Sequence, residues 1–141
     1  MKKSNSTKLT IVALAATFGL AAVAADDDAA GKLPPAAAKS GVTYATDIKP
    51  VLDKSCVRCH SGDKPKARLK LDNLENILKG SKDGKVIIAG DSAKSLLVQA
   101  AAHATKDHDL WMPPPQNKAG AKPLTPEQIG LVRAWIDQGA K

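Results

Sequence analysis

Cys56-Val57-Arg58-Cys59-His60 places two thiols and an imidazole in one short run. Thiols at this spacing can each add to a vinyl group along one porphyrin edge, and the histidine that follows turns its ring under the iron. C-x-x-C-H therefore reads as an attachment site for one c-type haem, with Cys56 and Cys59 as thioether links and His60 as the proximal iron ligand. These are the only two cysteines of the chain. A redox C-x-x-C pair would belong to a βαβ pattern, which the chain lacks. A structural zinc site would want four Cys or His ligands, and His103 and His108 lie far downstream.

Iron bound by His60 leaves its opposite face to be assigned. The candidates are Met112, His103 and His108, because the only other methionine is Met1. Met112 lies in Leu110-Trp111-Met112-Pro113-Pro114-Pro115. Three prolines remove backbone donors and favour an extended, stiff segment that can press a thioether against a porphyrin. Such a soft ligand stabilises ferrous iron and raises the potential. Met112 is accordingly the expected distal ligand, with His103 or His108, or an open face, as the alternatives. Six-coordinate iron has no open position for a substrate, so the expected chemistry is one-electron transfer with no catalytic residue. An open face would instead suit a peroxidase-like enzyme, with His103 or His108 as acid/base.

Helical signals must position these groups. Tyr44, Ile48, Val51 and Leu52 recur at helical spacing up to the cysteines, with Pro50 marking a distorted turn or a helix start. Leu69 and Leu71 alternate with Arg68 and Lys70 as a short extended piece. It leads through Asp72 into a brief helix bearing Leu74, Ile77 and Leu78, which Gly80 stops. Asp91 or Ser92 is placed to cap a helix that buries Leu96, Leu97, Val98 and Ala101. Thr125-Pro126-Glu127-Gln128 combines an N-cap, a first-turn proline and a capping box. Ile129, Val132, Trp135 and Ile136 mark that helix's buried face, and Gly139 closes it. No run alternates long enough for a good strand, so the expected fold class is all-α, with short helices and long loops. Beyond the first 25 residues the aromatics are Tyr44, Trp111 and Trp135 alone. So sparse a core calls for a porphyrin at its centre, and Tyr44 or Ile48 is expected to pack near Trp135.

Residues 1–25 read as a secretory signal peptide: Lys2, Lys3 and Lys8, then the apolar run Leu9 to Val23, then a small-x-small site at Ala22-Val23-Ala24. Export agrees with the haem motif, and the two features together point to the periplasm. Residues 26–40 are rich in Asp, Ala and Pro and are expected to form a disordered linker. Residues 41–141 make one small domain. Without Lys2, Lys3 and Lys8 the 21 basic residues become 18 against 14 acidic ones, a net charge of +4. That modest excess does not fit nucleic-acid binding, which would show a clustered basic patch with interleaved aromatics. Lys49, Lys54, Lys64 and Lys66 flank the motif as ordinary solvated lysines.

Taken in order, these segments resemble the small c-type cytochrome domain called planctomycete-type cytochrome c. The resemblance runs from Tyr44 to Ala140. It rests on Ile48-Lys49-Pro50-Val51-Leu52, the C-x-x-C-H, Leu69-Lys70-Leu71-Asp72, Ala89-Gly90-Asp91 with Ser95-Leu96-Leu97, Met112-Pro113-Pro114, and the closing Leu124-Thr125-Pro126-Glu127-Gln128 and Trp135-Ile136-Asp137-Gln138-Gly139-Ala140. It implies a cytochrome c-like all-α fold, haem c linked to Cys56 and Cys59, and His60 with Met112 as axial ligands. It further implies redox partner proteins, with the chain working as a monomer or as the haem-bearing subunit of a larger periplasmic oxidoreductase.

Overall fold

A computed structural model describes residues 33–141, so the signal peptide expected over 1–25 and the first part of the linker lie outside the described residues. Four short α-helices carry the domain: α1 Lys49–Ser55, α2 Leu74–Lys79, α3 Leu96–Ala101 and α4 Pro126–Asp137. A π-helical turn, Tyr44–Ile48, leads into α1, and 3-10 turns occupy Lys66–Arg68 and His108–Leu110. Among the described residues there is no strand, only an isolated bridge between Ser81 and Gly84. The all-α expectation holds for this part of the chain.

Pro50 falls in the first turn of α1, the place where a missing N–H costs nothing. The turn before it is wound wider, closed by Lys49 N–H on Tyr44 O. This puts both Tyr44 and Ile48 inside the protein. At the other end of the chain, Thr125 and Gln128 exchange the two bonds of the capping box at 3.3 and 2.9 Å. Gly139, at φ +100°, turns the chain out of α4 as only glycine does readily. Ile129, Val132, Trp135 and Ile136 are buried on one face of α4. Trp135 is fully buried, 6.0 Å from the Tyr44 ring, and donates its indole N–H to Lys141 O at 2.9 Å.

Local expectations are corrected in two places, α3 and residues 33–40. Asp91 and Ser92 do not cap α3, whose N-cap is Ser95. Asp91 accepts Lys94 N–H in the preceding turn, while Ser92 is drawn inward to Asp137, bonding it through both Oγ (2.9 Å) and N–H (2.8 Å). Arg133 Nε adds a bond to the same hydroxyl. Of the side chains assigned to the buried face of α3, Val98 is buried, while Leu96, Leu97 and Ala101 are half-exposed because they border a cavity.

The second correction concerns residues 33–40, expected as part of a disordered linker. Leu33 joins the core, Ala37 N–H bonds Gly130 O at 2.8 Å, and Gln138 Nε2 donates to Lys39 O at 2.7 Å. Arg133 donates to Pro34 O, and Lys39 pairs with Asp47. Gly130 permits the approach, since a Cβ there would lie 2.7 Å from Pro35 O. An Ala/Pro-rich segment has little to bury, but its backbone groups bond like any others.

Trp135→Ala should cost roughly 3–5 kcal/mol, the range for emptying a fully buried large side chain. Denaturant unfolding measures it, and a loss below about 1 kcal/mol would show that the crossing of α4 over the Tyr44–Ile48 turn is not a main source of stability.

Candidate functional site

The C-terminal end of α1 delivers the two thiols. Cys56 and Val57 N–H both bond Leu52 O (2.8 and 3.0 Å), and Cys59 and His60 N–H both bond Cys56 O at 3.1 Å. These shared acceptors coil residues 56–60 into one tight turn. The chain then reverses: Lys66 N–H returns to Cys59 O at 3.1 Å, and Ala67 and Arg68 adopt φ +52° and +53°. Left-handed backbone at two successive non-glycine residues is uncommon, and such strain gathers at functional positions. Its effect is to bring Leu69 and Leu71 beside His60, whose backbone carbonyl accepts Leu71 N–H at 2.8 Å.

His60 is buried, and its Nδ1 lies 3.3 Å from Leu69 O. A carbonyl only accepts, so Nδ1 carries the proton and Nε2 keeps its lone pair. Burial pushes the imidazole pKa down, outweighing the bond to Leu69, which favours the neutral ring a metal ligand must have. Cys56 and Cys59 are free thiols. Burial, with some help from Cys59, pushes the Cys56 thiol up to about 12, so this sulfur stays protonated and acts as an apolar wall atom.

Another wall is built by α3 and the loop after it. Met112 N–H bonds Ala100 O at 3.0 Å, fastening that loop to the last turn of α3. Between the walls lies a cavity of about 360 Å³ that Cys56, Cys59, His60 and Met112 all border. Alanines at 67, 100, 101 and 121 leave room, and Leu69, Leu71, Val86, Leu96 and Leu97 make the surface apolar. Of the four candidate iron ligands, His60 and Met112 therefore come to one space. His103 and His108 do not border it; both rings pack on Trp111 instead.

Two thiols, a neutral imidazole with a free Nε2, a thioether and a nearly wholly apolar lining on one cavity together fit a haem. They do not fit a bare metal ion, for no three His, Cys, Asp or Glu side chains converge among the described residues.

Two contributors went unnoticed in the sequence. Asn117 latches the loop beyond the prolines, accepting Ala121 N–H at 2.8 Å and donating to Pro114 O at 3.0 Å. Asparagine in a Pro/Gly-rich turn is a recognisable signal for this. Arg58, a variable position inside the motif, reaches Ala119 O at 2.6 Å and ties the thiol turn to the same loop. No local pattern marks that contact.

A protein-family model described as Planctomycete cytochrome C matches residues 56–116. The matched span opens on the first cysteine and runs just past the proline run. The Tyr44–Ile48 turn, α1 and α4 lie outside it, although the fold packs all three against it. No curated protein and no solved structure matches the chain.

In the haem-free folded chain, exposed Cys59 should be alkylated at least about tenfold faster than Cys56 at mildly alkaline pH, because only the thiolate reacts. Peptide mass mapping over time reads the two rates. Equal rates would mean that Cys56 is not held as a buried thiol.

Proposed function

Residues 56–116 carry a planctomycete-type cytochrome c domain, and from that premise we propose that the protein is an exported monohaem cytochrome passing single electrons between redox partner proteins. The observation that carries this reading is the convergence of Cys56, Cys59, His60 and Met112 on one apolar cavity. Haem bound there supplies a one-electron couple. The chain's own residues decide where it sits and how easily it is reduced. Cys56 and Cys59 anchor it covalently at the end of α1. Leu69 O fixes the His60 ring plane and keeps its proton on Nδ1, leaving Nε2 for iron. Met112 would offer a neutral, soft donor to the iron, favouring the ferrous state. The leucine and alanine walls exclude water, and a dry surround disfavours the more highly charged ferric state.

A carrier whose iron was held by both His60 and Met112 would need no acid/base group beside it. Both His103 and His108 lie against Trp111, away from the cavity, which supports electron transfer over a peroxidase-like reaction. No helix among the described residues is long and apolar enough to cross a membrane. The periplasmic assignment rests on the signal-like residues 1–25.

After periplasmic expression, intact mass should equal the chain cleaved near Ala25 plus one haem, and the pigment should survive acid-acetone extraction. Extractable haem would remove the thioether assignment. The ferric protein should show the weak thioether-to-iron absorption band at the red end of the spectrum. Met112→Ala should abolish that band and lower the potential as the soft ligand is lost. If instead Met112→Ala leaves the spectrum intact and either His103→Ala or His108→Ala alters it, a bis-histidine centre replaces the His/Met one.

A further inference from the structure

We propose that Trp111 is a positioning residue for the distal ligand, held by His103 and His108 so that Met112 is kept at the iron. The inference rests on Met112 being that ligand. The Trp111 indole stacks almost parallel on the His103 ring, with centroids 4.9 Å apart and planes at 6°, and the His108 ring packs on it at 4.1 Å and 36°. Its indole N–H donates to Thr105 O at 3.3 Å, and its backbone N–H donates to His108 O at 3.1 Å. The side chain that directly precedes Met112 is thus held by two ring contacts and by both of its N–H groups.

His103 reaches this place through an uncommon backbone. It follows the end of α3 at φ +53°, a left-handed conformation that histidine tolerates better than most residues. Its Nε2 is buried without a hydrogen-bond partner. An unbonded ring nitrogen and a left-handed backbone are both unfavourable, and ring stacking on Trp111 is what the arrangement gains in return. The helix end also grips the backbone, for Ala100 O accepts both His103 N–H (3.1 Å) and Met112 N–H (3.0 Å). Residues 100–112 are closed into one loop, with the imidazoles and indole packed together and the thioether turned to the cavity. A thioether is uncharged and binds iron weakly, so its hold depends on how firmly the loop keeps it in place.

The test uses the haem-loaded protein and reads the red-end thioether band, carbon monoxide binding by the ferrous form, the midpoint potential and unfolding by denaturant. Trp111→Ala should lose most of the band, bind carbon monoxide about tenfold faster and fall in potential, because a ligand left loose is readily displaced. Trp111→Phe, which keeps an aromatic face for the imidazoles, should restore the band. His103→Ala and His108→Ala should each weaken it. A Trp111→Ala protein that is less stable yet spectrally native would overturn the proposal, since that is what packing alone would give. If Trp111→Ala does not hold haem, the two histidine variants decide, and native spectra in both overturn it. Met112→Ala separates the two levels of the reading. If the band survives in that variant, the ligand assignment fails and this proposal with it. If Met112→Ala abolishes the band and the Trp111 and histidine variants leave it intact, only the positioning role fails.

Discussion

The burial of Trp135 against the Tyr44–Ile48 turn is the contact on which the rest of the domain hangs. Among the described residues Trp135 is the largest side chain wholly removed from water, and it joins the first and last described elements. The turn it packs on runs straight into α1, whose end delivers Cys56. The helix it belongs to is bonded through Asp137 and Arg133 to Ser92, just before α3. Both walls of the cavity therefore descend from one crossing. With so few aromatic residues, no other contact in the described chain could take over this role.

The wall chemistry then follows from what the cavity has to exclude. A space of about 360 Å³ bordered mostly by leucine, valine and alanine offers little polar surface. The sulfur and imidazole groups that border it are neutral: a protonated thiol at Cys56, an imidazole whose proton is committed to Leu69 O, and the Met112 thioether, while exposed Asp83 is the one ionisable carboxylate on its border. With haem bound as proposed, such neutral ligands would leave the iron's own charge as the dominant electrostatic quantity, tuned by how dry the site is and by what bonds the ligands make.

Strained backbone is concentrated around this space. Ala67 and Arg68 lie just before Leu69, which bonds His60, and His103 lies just past the end of α3; they are three of the four left-handed non-glycine residues among the described residues, the fourth being Ala140 after α4. Each of the three sits where the chain must reverse sharply to bring a later segment over the cavity. Such conformations persist when the surroundings over-determine them. Here the backbone bonds Lys66 N–H to Cys59 O, Leu71 N–H to His60 O and His103 N–H to Ala100 O do so.

Cys56, Cys59 and His60 were legible from sequence because their chemistry is encoded in spacing alone. The same is true of α4, whose cap, first-turn proline, apolar stripe and closing glycine all lie within one stretch of chain. Met112 was named among few candidates, and only the fold brought it to the same cavity as His60 while sending His103 and His108 to Trp111. Ser92 is a good cap by type, yet it bonds Asp137, 45 residues away, and so α3 begins later than its local signals indicate. Residues 33–40 look unstructured by composition, but backbone groups fasten them to α4, and composition does not register backbone groups. Sequence by itself determined what depends on neighbours along the chain: the C-x-x-C-H motif and the ends and apolar stripe of α4. Tertiary structure decided what depends on competition between distant partners, because a side chain or carbonyl bonds whichever group the fold places within about 3 Å.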